Sequence, residues 1–180
     1  MIFSKPFYYI RDVKDHFINK EKILSRTLLS KNRLPSLNNE VKDHASYISS
    51  TDYPSLDNDW INYAFSSKDM GEYQKFVYKK FKRKGLGVNA VWFNQYDPHS
   101  GAEHYWHHHK PDHLTNIYFV ELEDNSLRTI LKHPVTGKEI IPRVKEGQIL
   151  TFDGKIEHMS PPNYTSTRKT VISFNIRFLE

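Results

Sequence analysis

The chain has 180 residues, of which 38% are hydrophobic, 26% charged and 14% aromatic, with a net charge of +5. This length suits one domain with a substantial core, and the aromatic content excludes a disordered or low-complexity chain. The sequence contains no run of about 18 apolar residues, which excludes a transmembrane helix. Residues 1–11 lack the apolar stretch of a secretory signal. We therefore expect a cytoplasmic protein with no membrane partner.

The sequence contains no cysteine and ten histidines. The lack of cysteine excludes disulfides, thiolate nucleophiles and cysteine-based zinc sites. Any metal must therefore be held by nitrogen and oxygen ligands. Part of the positive charge lies in one run, Lys79 to Lys84. This run fits either a solvated helix end or a surface that contacts a polyanion such as nucleic acid.

The first half of the chain predicts helices joined by loops. Apolar residues recur at helical spacing within 12–31 and again within 67–82. The stretch 35–59 is rich in Ser, Asn, Asp and Pro, which is typical of a long surface connection. We interpret residues 1–86 as a helical support segment.

In the second half, residues 87–180, the hydrophobic period changes to two, which is the period of β-strands. Turn signals such as Asp97-Pro98 and Asp153-Gly154 separate the alternating segments. The pattern predicts a single domain over 1–180, mainly β with N-terminal helices (α+β), whose core is an antiparallel sandwich or barrel. The predicted strands are 88–96, 114–122, 127–131, 139–144, 148–152 and 170–178.

Six of the ten histidines fall between His99 and His113. In an extended segment His107 and His109 project to the same face, so they can form two corners of a metal site. The third ligand must come from elsewhere in the chain. His158 is the best candidate, in a predicted turn after the strand 148–152.

The order of residues between 88 and 180 resembles that of the 2-oxoglutarate- and Fe(II)-dependent oxygenases, in particular small oxygenases of bacteria and phages. That family has an Asn or Tyr on an early strand, a Gly, a His-x-carboxylate pair, a distal His, and an Arg or Lys about ten residues later. The residues that carry the resemblance here are Asn94, Tyr96, Gly101, His107, His109, His158, Arg168 and Thr170.

The resemblance implies a double-stranded β-helix core (jelly-roll, cupin-like), Fe(II) held by His107, His109 and His158, and 2-oxoglutarate as co-substrate. It implies that Arg168, assisted by Thr170, binds the far carboxylate of 2-oxoglutarate, so we expect its guanidinium to point into the barrel near the metal. Asn94, Tyr96 and Tyr118 are implied as further co-substrate contacts. The implied protein is a dioxygenase, of hydroxylase type, in the cytoplasm of a bacterium or phage-infected host.

The chain departs from the family at one position, because His109 stands where the proximal carboxylate is expected. Either three histidines bind the metal, as in cupin dioxygenases, or Asp112 reaches it while His109 turns away. Two other functions stay open: a three-His cupin-type metalloprotein that does not use 2-oxoglutarate, and a basic nucleic-acid-binding module. The substrate is unidentified; a protein or small molecule is favoured, and nucleic acid is the alternative.

Overall fold

The computed structural model describes residues 6–35, 45–51, 56–65, 67–82 and 86–178. Among these residues, three α-helices lie in the first half: α1 His16–Thr27, α2 Ile61–Ala64 and α3 Ser67–Phe81. Most β-strands follow in the second half. The described strands are β1 Tyr8–Asp12, β2 Leu34–Pro35, β3 Tyr47–Ser50, β4 Leu86–Tyr96, β5 His104–His107, β6 His113–Leu122, β7 Ile130–Lys132, β8 Glu139–Ile140, β9 Gln148–Asp153, β10 His158–Ser160 and β11 Lys169–Phe178.

The strands form two antiparallel sheets. The larger sheet has seven strands in the order β1-β9-β6-β11-β4-β3-β2, and the smaller has four in the order β5-β10-β7-β8. The long strand β11 lies in the middle of the larger sheet, between β6 and β4. The prediction of a mainly β chain with antiparallel sheets and few helices is confirmed.

Side chains of the larger sheet point alternately to its two faces, and each face contributes to one apolar cluster. One face carries Ile172 and Phe174, which pack with Ile23 of α1 and Tyr73 and Val77 of α3 in one buried cluster. The helices therefore cover this face. The burial of these side chains supplies most of the driving force that holds helices to sheet.

The opposite face contributes to a second apolar cluster, which combines both sheets. Phe119, Phe152 and Val171 of the larger sheet share it with Leu131 of the smaller one. On β4, β6 and β11, the side chains that point to this same face include polar ones close to the smaller sheet. The histidine cluster lies beside these polar side chains.

The first half contains strands that the sequence pattern did not predict. β1 pairs with β9, and β3, within the predicted connection 35–59, pairs with β4. These strands are five and four residues long, too short for a clear period of two. Residues 36–44 and 52–55 of that connection lie outside the described residues. Among the helices that the structure describes, none is long and apolar enough to cross a membrane.

Candidate metal and co-substrate site

Strand pairing brings the distal histidine to the proximal ones. In the antiparallel pair β5–β10, His158 lies directly opposite His107. His158 therefore begins a short strand, and its predicted location in a turn is wrong. His109 follows the end of β5, and its backbone N–H donates to the Gly154 carbonyl oxygen at 2.7 Å. This bond ties the segment after β5 to the turn after β9.

The three predicted histidines converge. Nitrogen atoms of His107, His109 and His158 all lie within 4.8 Å of one another. Three nitrogens this close could hold one metal ion, for which the usual metal–nitrogen distance is about 2.0–2.1 Å. Asp112, the alternative ligand, lies elsewhere: its carboxylate contacts His113 Nδ1 at 2.8 Å and Arg177 Nε at 3.4 Å.

Backbone carbonyls fix the orientation of two of these rings. His107 Nδ1 lies 2.7 Å from the Tyr105 carbonyl oxygen, and His158 Nδ1 lies 3.0 Å from that of Ile156. Because a carbonyl can only accept, each Nδ1 must carry the hydrogen and donate it. In the neutral ring, Nε2 then keeps a free lone pair, which is the form that binds a metal.

Burial keeps this cluster neutral at physiological pH. Burial, with a smaller contribution from the neighbouring imidazoles, lowers the pKa of His109 to about 4. The pKa of His158 is well below its ordinary value for the same main reason. His104, whose ring stacks on His107 at 3.8 Å, has a pKa lowered by burial to about 3. A metal therefore need not displace protons from these rings at pH 7.

The histidines line a cavity that also contains a buried cation, Lys169, at the start of β11. This side chain is 1% exposed, and its Nζ donates to Ser160 Oγ at 2.7 Å. No carboxylate of the described residues forms an ion pair with it, and burial lowers its pKa to about 7. An ammonium group without a counter-ion is costly inside a protein. The buried ammonium group of Lys169 therefore favours the binding of an anion in this cavity.

Of the three residues predicted as further co-substrate contacts, two line this cavity and one does not. Asn94 and Tyr96 of β4 are buried and line it together with the histidines and Lys169. Tyr118 was predicted to reach the co-substrate, but this placement is wrong. Its side chain belongs to the cluster under the helices, where its hydroxyl lies 2.7 Å from His16 Nδ1. The reason is parity, because Ile117, not Tyr118, faces the cavity on β6.

The expected orientation of Arg168 is also wrong. Its guanidinium donates two hydrogen bonds, from Nε and Nη2, to the carboxylate of Glu121 at 2.9 Å each. Thr170, predicted to assist it, also donates to Glu121. Neither residue lines the cavity, since adjacent residues of a strand point to opposite faces and Lys169 takes the inward position.

Two titratable residues of the cavity, Lys169 and His104, were not predicted as site residues. Lys169 is adjacent to Arg168, the residue that was predicted instead. Because β11 carries apolar side chains on both faces, its sequence did not show which face points into the cavity. His104 was noted only as part of the histidine cluster. The signal for Lys169 was available, because it is a cation directly after Arg168 and so lies at nearly the same distance along the chain from His158.

Comparison with solved structures identifies the fold. A viral collagen prolyl hydroxylase from Paramecium bursaria Chlorella virus-1, in complex with 2-oxoglutarate, matches with a TM-score of 0.61 and 14% identity over 99% of this chain and 100% of that one. A prolyl-4-hydroxylase from Pseudomonas putida gives a TM-score of 0.66 and 11% identity over 96% and 92%. SnoN, a non-heme α-ketoglutarate-dependent epimerase of nogalamycin biosynthesis, gives 0.72 and 9% over 96% and 78%.

These identities establish similarity of fold and not of activity. The resemblance to 2-oxoglutarate- and Fe(II)-dependent oxygenases is thereby confirmed at the level of structure, and the two antiparallel sheets are consistent with the jelly-roll fold of these proteins. No family model matches the sequence, and no curated protein matches it.

Proposed function

We propose that this protein is a non-haem Fe(II) oxygenase that couples decarboxylation of 2-oxoglutarate to oxidation of a substrate. The observation that carries the proposal is the presence, in one cavity, of three convergent histidines and a buried lysine that forms no ion pair with a carboxylate of the described residues. A metal site alone fits many functions. A metal site with a buried cation beside it fits a co-substrate that chelates the metal at one end and carries a carboxylate at the other.

His107, His109 and His158 are the proposed metal ligands. They fit the group because two of the rings are held as the Nδ1–H tautomer and all three are neutral at pH 7. Three ligands on one side of the ion leave positions open for exogenous molecules. When bound there, Fe(II) with 2-oxoglutarate supplies the oxidising chemistry, and the protein supplies binding, orientation and electrostatics.

Lys169 is the proposed partner of the far carboxylate of 2-oxoglutarate, in the role first predicted for Arg168. The Ser160 hydroxyl holds its ammonium group, and the Tyr96 and Phe119 rings lie 5.1 and 5.8 Å from Nζ. An arriving carboxylate would stabilise the protonated amine in this dry surrounding. Tyr96 and Asn94 line the same cavity as Lys169 and the histidines and are proposed further contacts.

We propose that the fold is a double-stranded β-helix in a single domain, with residues 1–86 as support and 87–180 as core. Hydroxylation of a peptide or small molecule is the proposed reaction. One solved neighbour, from Trichoplax adhaerens, is a prolyl hydroxylase in complex with a peptide fragment, and SnoN is an epimerase of a biosynthetic pathway. The fold thus accommodates both substrate classes.

Each of two alternative functions is favoured by one observation. His109 in place of a carboxylate favours a three-His cupin-type protein that does not use 2-oxoglutarate, but such a protein does not need Lys169. Exposed Lys79, Lys80 and Lys82 near the end of α3 favour a nucleic-acid substrate or partner, and Arg83 and Lys84 lie outside the described residues.

The test is formation of succinate from 2-oxoglutarate by purified protein with and without Fe(II). We expect Fe(II)-dependent succinate formation in the wild type and background levels in His158→Ala. His108→Ala is the matched control, since His108 is exposed and outside the convergent group, and it should retain turnover. Metal binding without any turnover of 2-oxoglutarate would favour the cupin-type alternative.

A further inference from the structure

His109 is supported differently from its two partners. Its Nδ1 contacts the side-chain amide of Asn175 on β11, at 3.5 Å from Nδ2. The Asn175 Oδ1 in turn lies 3.4 Å from Thr115 Oγ1 of β6. Asn175 is 8% exposed; its contact with Thr115 is buried and its contact with His109 is partly buried. The amide is therefore held between a candidate metal ligand and a hydroxyl.

The chemistry of a metal ligand restricts this contact. A neutral imidazole that binds a metal through Nε2 keeps its hydrogen on Nδ1, and that N–H needs an acceptor. The amide oxygen and nitrogen are almost the same size, so rotation of the amide by half a turn changes few contacts. After this rotation Oδ1 accepts from His109 Nδ1–H, and Nδ2 donates to Thr115 Oγ1. Both hydrogen bonds are then satisfied.

We infer that Asn175 is a positioning residue that orients His109 for metal binding, with Thr115 fixing the amide. The inference rests on the metal site of the proposed function and deepens it. It also accounts for the support of a histidine at this position: His107 and His158 have backbone carbonyls as acceptors, and His109 has the Asn175 side chain. A carboxylate at position 109 would need no such acceptor, so residues 109 and 175 form a coupled pair.

The test measures the apparent dissociation constant for Co(II), by competition with a chelator, and needs no turnover. Asn175→Leu keeps the side-chain size but removes the acceptor, and we expect about 10- to 100-fold weaker binding. Asn175→Asp keeps an acceptor oxygen and should bind Co(II) at least as tightly as the wild type. Ser173→Ala, two residues earlier on the same face of β11, is the matched control and should bind normally.

A double-mutant cycle separates positioning from a general structural effect. In the His109→Asp background, Asn175→Leu should change Co(II) affinity by less than about twofold, which is the error of such cycles. An equal loss in both backgrounds, or wild-type affinity of Asn175→Leu, would overturn the inference and leave the proposed function standing. If the wild-type protein binds no Co(II), both fall.

Discussion

At the scale of single residues, Lys169 combines two properties that oppose each other in a folded protein. It is fully buried, and no carboxylate of the described residues neutralises it. Burying an amine in this way lowers the free energy of unfolding, because the unfolded chain hydrates the charge. Groups that reduce stability in this way are often retained for binding or catalysis.

Replacing Lys169 with Met should therefore have two opposite effects. Loss of the charge–carboxylate contact should weaken 2-oxoglutarate binding to the metal-loaded protein by about 30- to 1000-fold, equivalent to roughly 2–4 kcal/mol. Loss of the buried charge should raise the melting temperature. Isothermal titration and thermal unfolding measure the two effects separately.

The control for this variant is Arg168→Met. Arg168 contacts Glu121 and not the cavity, so its replacement should leave 2-oxoglutarate affinity within about twofold of wild type. It should lower the melting temperature, because Glu121 loses its bidentate partner. The reverse pattern, with Arg168→Met losing co-substrate and Lys169→Met retaining it, would restore the assignment made from the sequence.

The different outcomes for these two residues show what residue order can and cannot predict. His107, His109 and His158 were predicted correctly as a convergent group. Imidazoles two residues apart on an extended chain share a face, and His158 was included because of its place in the residue order that resembles the oxygenases. Arg168 and Tyr118 depended on which face of a central strand points inward. Central strands that are apolar on both faces carry no such signal.

At the scale of elements, the segment His109–His113 is held against the turn after β9. Gly154 accepts a hydrogen bond from His109 N–H and donates one to the His113 carbonyl oxygen at 2.9 Å. A β-carbon at position 154 would lie 2.4 Å from the Lys110 carbonyl oxygen, which is backbone and cannot rotate away. The close approach of the two backbones thus depends on glycine.

We predict that Gly154→Ala displaces this segment, and His109 with it. Apparent metal affinity should fall by about tenfold or more, since ligand geometry is lost while all three imidazoles remain. Gly71→Ala in α3 is the control, because a β-carbon there meets nothing within 4 Å. It should leave metal affinity unchanged and stabilise the protein slightly. Unchanged metal affinity in Gly154→Ala would mean that the segment adapts without moving His109.

The long strands β4, β6 and β11 of the second half were predicted with ends within two residues. The short strands β5 and β10, which carry His107 and His158, were missed. The short strands β1 to β3 were not predicted. A strand of two to five residues at or next to a sheet edge is selected by its partner rather than by its own period, so local pattern is a weak guide to it. β1 completes the edge beside β9, and β3 extends the sheet beyond β4.

At the scale of the whole molecule, burial lowers the pKa of five histidines: His16, His104, His107, His109 and His158. The unfolded chain takes up protons at the ordinary histidine pKa of about 6.5, before the folded protein does. Stability must therefore fall as the pH falls below about 6.5, by at most about 1.4 kcal/mol per pH unit for each histidine.

We predict that the melting temperature falls clearly between pH 7 and pH 5. A divalent metal bound by three of these rings should raise it, because ligands that bind only the folded state stabilise it. Thermal unfolding across this pH range, with and without Co(II), measures both effects. A melting temperature that is constant or rises toward pH 5 would contradict the neutral, buried state of the cluster.

The most direct test of the account is a crystal structure determined anaerobically with Fe(II) and 2-oxoglutarate, with the iron located by anomalous scattering. We predict one iron peak at about 2.0–2.2 Å from nitrogens of His107, His109 and His158, with the far carboxylate of 2-oxoglutarate on Lys169 Nζ. An iron site away from the three histidines, or a far carboxylate bound elsewhere than Lys169, would contradict it.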